Sequence, residues 1–150
     1  MSIYRTARRI ALPLAALTLA GALAAAPAAD PKATRQASFK KMGAAMKVLK
    51  EQLAGGAPSK PAMLAAAQTV AATARQQGAL FPAGSGAGTD ALPAIWTQKA
   101  AFDAQMAKLV AESGKLVTVV NGGNADAIGA QFKVVGGTCA GCHKQFRADN

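Results

Sequence analysis

The chain has 150 residues, with 17 lysines and arginines against 7 aspartates and glutamates, 2 cysteines and 1 histidine. The length predicts one domain, and the net charge of +10 favours an acidic partner or an anionic surface, although solubility alone would also account for it. Nucleic acid is excluded as a partner, because the sequence has no basic patch interleaved with aromatic residues and no nucleic-acid reading motif.

The stretch 1–28 has the pattern of a secretory signal peptide. A basic start precedes the almost wholly apolar residues 10–26, and Ala26-Pro27-Ala28 supplies small residues for cleavage. A membrane anchor is the competing interpretation, but the break at Pro13 and the alanine-rich composition favour removal. We therefore predict export to the periplasm and a mature domain of residues 29–150 that has no membrane span.

Two amphipathic helices are predicted at the start of the mature chain. Asp30 can cap the first helix, Pro31 lies in its first turn, and Gly55-Gly56 ends it. Residues spaced by three or four lie on one face of this helix, namely Arg35, Phe39, Met42, Met46, Leu49 and Leu53. The second helix begins after Ser59 and closes at Gly78.

A loop rich in glycine and proline, residues 78–93, separates these helices from a second pair. A phosphate-binding loop is disfavoured here, because no Gly-Lys-Ser/Thr ending and no preceding strand accompany the glycines. A third helix is predicted from Ile95 or Trp96 to about Val120, and a fourth begins after Asn124. Four amphipathic helices without a convincing strand predict an all-α fold, an antiparallel four-helix bundle.

The fourth helix carries every cysteine and histidine of the chain. Cys139, Cys142 and His143 form the pattern Cys-x-x-Cys-His, in which the two thiols share a helix face and the histidine follows the first by four residues. This spacing is typical of c-type haem attachment, where the thiols bond to the haem vinyl groups and the imidazole becomes an axial iron ligand. We therefore predict one covalent haem c, bound through Cys139 and Cys142, with His143 as the metal ligand.

Three other uses of this motif fit the sequence less well. A zinc site normally has four ligands, and the chain has only three cysteine and histidine side chains. A thioredoxin-like redox pair belongs near a βαβ pattern, whereas these cysteines lie late in a helical sequence. A simple disulfide between the two cysteines would leave His143 without a role.

The segment from Gly136 to Arg147 resembles the haem attachment segment of class II c-type cytochromes, the cytochrome c′ family. The likeness covers essentially the whole mature chain and extends back through Pro93, Ile95, Trp96, Phe102, Arg35, Met42, Gly43 and Met46. The resemblance implies an exported four-helix bundle with its haem near the C-terminus. It also implies a homodimer through the first two helices, where Gly43, Ala44 and Ala45 would permit close approach.

The resemblance also assigns roles to residues on either side of the haem. Low-spin members place a ligating methionine four residues after the arginine that corresponds to Arg35, whereas cytochromes c′ place an apolar residue there. This chain has Phe39, which implies a five-coordinate iron under a phenyl ring, and Met42 is the alternative sixth ligand. Arg35 is expected to bind a haem propionate, and Arg147 to flank the proximal imidazole. Core packing for Phe39, a solvated helix face for Arg35 and a helix-end charge for Arg147 are the simpler interpretations.

Two functions follow from this site. The first is periplasmic electron transfer with an acidic redox partner protein. The second is binding of nitric oxide and carbon monoxide, which depend less than dioxygen on a hydrogen-bond donor near the iron. A low-spin cytochrome with histidine and methionine ligands that only carries electrons is the alternative. Enzymatic catalysis is not expected, since no acid–base pair or free nucleophile appears in the sequence.

Overall fold

A computed structural model describes residues 30–148, so the predicted signal peptide, residues 1–28, lies outside the described part of the chain. The helices are α1 (Pro31–Ala54), α2 (Lys60–Gln77), α3 (Ala94–Thr97), α4 (Lys99–Gly122) and α5 (Ala125–Phe146). The predicted all-α fold is confirmed, because β pairing within residues 30–148 is limited to one isolated bridge between Ala91 and Arg147. None of the helices in this range is long and apolar enough to cross a membrane.

Three of the four long helices, α1, α2 and α5, begin where capping side chains were predicted. Each cap accepts a hydrogen bond from a backbone amide of the first turn, which satisfies a donor that the helix itself leaves unpaired. The pairs are Asp30 Oδ1 with the amide of Lys32 (3.0 Å), Ser59 Oγ with Ala62 (3.4 Å) and Asn124 Oδ1 with Ala127 (2.9 Å). Helix α4 ends before Gly123, whose φ of 77° is the left-handed conformation that glycine adopts at little cost.

The prediction of one continuous third helix is wrong in its first turn. Gln98 has φ −118° and ψ 45°, which separates the short helix α3 from α4. The indole Nε1 of Trp96 donates to the carbonyl oxygens of Phe81 and Pro82 at 3.2 and 3.1 Å. These bonds dock α3 on the preceding loop, whereas α4 packs in the bundle. Apolar spacing continues across Gln98, so the sequence period alone does not reveal the break.

The four long helices form the predicted antiparallel bundle. Helix α1 packs along α2, α2 along α4 and α4 along α5, whereas α1 and α5 touch at only a few places. The main cluster, which fills the bundle, consists of buried apolar side chains that include Met42, Leu49, Met63, Val70, Leu116, Val120, Ile128 and Val135. The weak contact leaves a cleft between α1 and α5, the helices that carry Phe39 and the Cys-x-x-Cys-His motif.

A second group of buried side chains, the aromatic cluster, closes one end of the bundle. It consists of Phe81, Ile95, Phe102, Met106 and Phe146. Ring centroids lie 6.4 Å apart for Phe39 and Phe81, 4.8 Å for Phe81 and Phe102, and 5.4 Å for Phe102 and Phe146, all with edge-to-face geometry. This row of rings connects α1, the loop, α4 and the end of α5.

We expect Phe102→Ala to destabilise the protein strongly. Phe102 is 1% exposed and touches a ring on each side, so truncation removes buried apolar area and leaves a cavity. The expected loss in the free energy of unfolding is about 3–5 kcal/mol, measured by urea denaturation. The control Val134→Ala, at a side chain that is 44% exposed, should change it by less than about 0.5 kcal/mol. A loss below about 1 kcal/mol for Phe102→Ala would contradict its central place in the cluster.

Candidate haem site

Helix α5 brings both cysteines to the junction of the two buried clusters. Cys139 packs against the main cluster and Cys142 against the aromatic cluster, and each thiol is free and partly buried. Phe39 packs against the same two clusters from α1. Phe39 therefore shares the main cluster with Cys139 and the aromatic cluster with Cys142.

Burial determines the protonation of the two thiols. Burial raises the pKa of Cys139, and it raises the pKa of Cys142 to about 11, with a smaller contribution from the nearby Cys139. Both side chains are therefore neutral thiols at pH 7, which an apolar site accommodates without an unpaired charge. Within residues 30–148, no group of three or more histidine, cysteine, aspartate or glutamate side chains is placed to hold a metal ion.

His143 follows Cys142 directly and lies at the exposed edge of α5. Desolvation lowers its pKa, and the positive charge of Arg147 lowers it further. The imidazole is consequently neutral at pH 7, and a neutral imidazole has the lone pair that a metal ligand must supply. This is the protonation state that an axial iron ligand requires.

Open space adjoins α5 near the motif. Gly136 lies one turn before Cys139, and a Cβ built there would meet nothing within 4 Å, as at Gly43 of α1. A groove of about 530 Å³ lies between the same two helices further along the bundle, lined by Met46, Lys47, Lys50, Glu51, Ala54 and Phe132. The two thiols and the neutral imidazole are the groups that covalent attachment and iron ligation of a haem require.

The structure places Arg35 inside the protein. The side chain is 3% exposed, so the interpretation as a solvated helix-face arginine is wrong. Its guanidinium donates to the carbonyl oxygens of Leu80 and Ser85 and to the hydroxyls of Ser85 and Thr89 at 2.9–3.3 Å. It also lies over the ring of Phe81, 4.4 Å from the centroid. Burial lowers its pKa, against an opposing contribution from Asp30.

Arg147 lies at the C-terminal cap of α5, one turn after His143. Its guanidinium forms an exposed ion pair with Asp90 at 3.5 Å, and its amide donates to the carbonyl of His143. A cation at this end of a helix interacts favourably with the helix dipole. The same charge lowers the pKa of His143, in addition to the larger effect of desolvation, so the two predicted effects of Arg147 are compatible.

Sequence reasoning missed the partners of Arg35. Phe81, Ser85 and Thr89 lie 46, 50 and 54 residues after it along the chain, in a loop where glycine and proline suggested only irregular structure. No local pattern marks such contacts. The one available signal was Phe81 itself, an aromatic residue followed by ten residues without a large apolar side chain. Because an aromatic ring is seldom left in water, Phe81 indicates that this loop packs against the bundle.

Comparison with known proteins places this site in a family. The family model described as Cytochrome C′ matches residues 30–147. A protein named cytochrome c′ from Rhodopseudomonas palustris is 36% identical over 140 residues, which cover 90% of this chain and 93% of the relative. The range that the family model matches includes the bundle and the Cys-x-x-Cys-His motif.

Solved structures agree with the sequence comparison. A cytochrome c′ described as having a ligand-controlled dimer dissociation is 30% identical, with a TM-score of 0.75, covering 79% of this chain and 97% of that one. Variants of cytochrome c prime from Alcaligenes xylosoxidans, one bound to nitric oxide and one to carbon monoxide, are each 26% identical, with TM-scores of 0.74. They cover 81% and 80% of this chain and 98% and 95% of their own. The chain described here therefore belongs to the cytochrome c′ family.

Proposed function

We propose that this protein is an exported monohaem cytochrome whose haem c is held through Cys139 and Cys142. The observation that carries the proposal is the placement of two partly buried thiols and a neutral imidazole within five residues of α5, with each thiol packed against a cluster that Phe39 also contacts. Each S–H bond adds across one vinyl double bond, so two thioethers form without a leaving group. His143 would then supply the axial nitrogen, and the bound haem would supply the redox and gas-binding chemistry.

The second part of the proposal is an open sixth position on the iron, covered by Phe39. A phenyl ring has no lone pair to donate, and Phe39 lies at the junction of both clusters. Met42, the alternative ligand, is 4% exposed and belongs to the main cluster, which supports a packing role for its thioether. A small ligand would bind after the Phe39 ring moves aside.

The surroundings of Phe39 support selection of nitric oxide and carbon monoxide. Lys40 and Lys41, which follow Phe39 on α1, are exposed. Arg35, one turn before Phe39, is buried, but its Nη1 and Nη2 already donate to four acceptors in the loop. Phe39 packs against apolar side chains of both clusters, and a distal side without a free donor would deny dioxygen the hydrogen bond that stabilises its partial negative charge. Structures of the Alcaligenes protein with nitric oxide and carbon monoxide support the same chemistry here.

Besides gas binding, the proposed function is electron transfer with an acidic partner protein in the periplasm. The proposal includes no enzymatic reaction. Helix α1 has one glutamate and four exposed lysines, at positions 40, 41, 47 and 50. This excess of positive charge favours docking to an acidic surface.

A homodimer would use Gly43 and Ala44, which are open or exposed, whereas Ala45 is buried within its own chain. The ligand-controlled dimer among the structural neighbours supports this assembly.

An absorption spectrum of the purified, reduced protein tests the proposal. We expect the bands of a high-spin ferrous haem, and we expect them to shift when carbon monoxide or nitric oxide is added. A low-spin spectrum that neither gas changes would instead establish the alternative, a cytochrome with histidine and methionine ligands that only carries electrons.

A further inference from the structure

The connecting loop, residues 78–93, is attached to the bundle at both ends. Near α5, the amide of Leu92 donates to the carbonyl of Phe146 at 3.0 Å, and the amide of Ala148 donates to the carbonyl of Asp90 at 2.8 Å. Near α3, Gly86 approaches Trp96 so closely that a Cβ on the glycine would lie 2.8 Å from the indole ring. These contacts fix the loop against α3 and α5, which leaves the side toward α1 to be explained.

Arg35 is the principal tie between the connecting loop and α1. Its Nη1 donates to the Leu80 carbonyl and the Ser85 hydroxyl, both at 3.1 Å, and its Nη2 donates to the Ser85 carbonyl at 2.9 Å and the Thr89 hydroxyl at 3.3 Å. A second cation, Lys32, donates to the carbonyl of Ala87 at 2.9 Å, but this bond is exposed and it is the one bond that Lys32 makes to the loop. Buried hydrogen bonds to a charged group are the stronger kind, so Arg35 dominates this attachment.

The same guanidinium fixes a ring that touches Phe39. Arg35 lies 4.4 Å from the centroid of the Phe81 ring, and the opposite neighbours of Phe81 are Phe102 at 4.8 Å and Phe39 at 6.4 Å. Phe81 therefore has a cation over it and aromatic edges beside it, which leaves it little freedom to turn. Any sideways movement of Phe39 toward Phe81 meets a ring that Arg35 holds in place.

We propose that Arg35 is a positioning residue for gas binding: it holds the connecting loop and Phe81 against Phe39, and so restrains the ring that must move to admit a ligand. The inference rests on the proposed function, because it takes Phe39 as the cover of the iron. It differs from the expected pairing of Arg35 with a haem propionate, which would make the loop contacts of Arg35 irrelevant to the rate of gas binding.

The discriminating variant leaves Arg35 unchanged and removes one side-chain acceptor in the loop. In Ser85→Ala, Arg35 keeps its charge, but one of its four loop bonds is lost. Thr89 is left intact, because its hydroxyl also bonds Gly86 and Ala91 within the loop. We expect carbon monoxide to bind the ferrous holoprotein about tenfold faster in stopped-flow mixing, since the lost bond involves a charged group. We also expect faster hydrogen exchange at the amides of residues 83–92.

Ser113→Ala is the matched control. Ser113 is also a fully buried serine, but it donates to the Val110 carbonyl within α4, away from the loop. Its removal should leave both the carbon monoxide rate and the loop exchange at wild-type values. Arg35→Lys should resemble the loop variant, because an ammonium cannot reproduce the planar fork that reaches four acceptors.

The outcomes separate the two proposals. A faster rate together with faster loop exchange supports positioning by Arg35. Faster loop exchange with an unchanged carbon monoxide rate overturns it, and so does a variant in which neither quantity changes. If the wild-type ferrous protein does not bind carbon monoxide at all, the proposed gas-binding function is overturned instead. This result comes from the wild-type protein alone and needs no variant.

Discussion

Replacing both cysteines, Cys139→Ser with Cys142→Ser, is expected to abolish covalent haem attachment. Serine hydroxyls do not form the thioethers that the two thiols form with the vinyl groups, while the change in side-chain volume is small. Loss of the macrocycle would also remove the apolar group expected to fill the space between α1 and α5. We therefore expect the exported double variant to carry no haem after denaturation and to unfold at a lower urea concentration than the wild-type protein.

Single variants provide the control for this experiment. Cys139→Ser and Cys142→Ser should each retain one thioether, so each should keep haem on the denatured polypeptide in reduced yield. Ser113→Ala again serves as the control, because Ser113 lies in α4, outside the motif. This variant should keep haem attachment at the wild-type level. A double variant that still retains haem after denaturation would show that some other side chain carries the bond.

Placing a ligand where the phenyl ring lies is expected to change the iron from five-coordinate to six-coordinate. In Phe39→Met, a thioether sulfur is available on the face opposite His143, the arrangement of histidine and methionine ligands found in low-spin cytochromes c. The reduced protein should then show a low-spin spectrum and a higher reduction potential. If the sulfur occupies the iron nine-tenths of the time, the apparent affinity for carbon monoxide should fall about tenfold.

Phe39→Leu is the matched control, because leucine is apolar and has no donor atom. It should remain high-spin and bind carbon monoxide at least as readily as the wild-type protein, since a smaller side chain covers the site. A low-spin spectrum in the wild-type protein that persists in Phe39→Leu would contradict the proposal. That result would instead make Met42, three residues after Phe39 and on the next turn of α1, the first candidate for the sixth ligand.

The local features of the fold were predictable because they depend on neighbours in the sequence. Asp30, Ser59 and Asn124 cap helices through side chains that reach the next turn, and their roles follow from residue type and position alone. The face that carries Cys139 and Cys142 likewise follows from a spacing of three. The break at Gln98 was not predictable in this way, because the apolar residues keep their helical period across it.

The surroundings of Arg35 were not predictable for a different reason. The sequence places an arginine one turn before Phe39 but does not show that residues 80–89 fold back over it. Those contacts depend on where a glycine-rich loop crosses the end of the bundle, and that path is set by Trp96, by Phe146 and by the ring packing of Phe81. A long-range contact of this kind is determined by the whole fold.

The most direct test of this account is the mass of the purified, exported polypeptide after denaturation. We predict the mass of the mature chain plus one haem, bound so that acid and organic solvent do not extract it. The Cys139→Ser and Cys142→Ser double variant, prepared in parallel, should have the mass of its polypeptide alone. A wild-type protein with no added macrocycle would contradict the account, because both proposed functions depend on a haem fixed to α5.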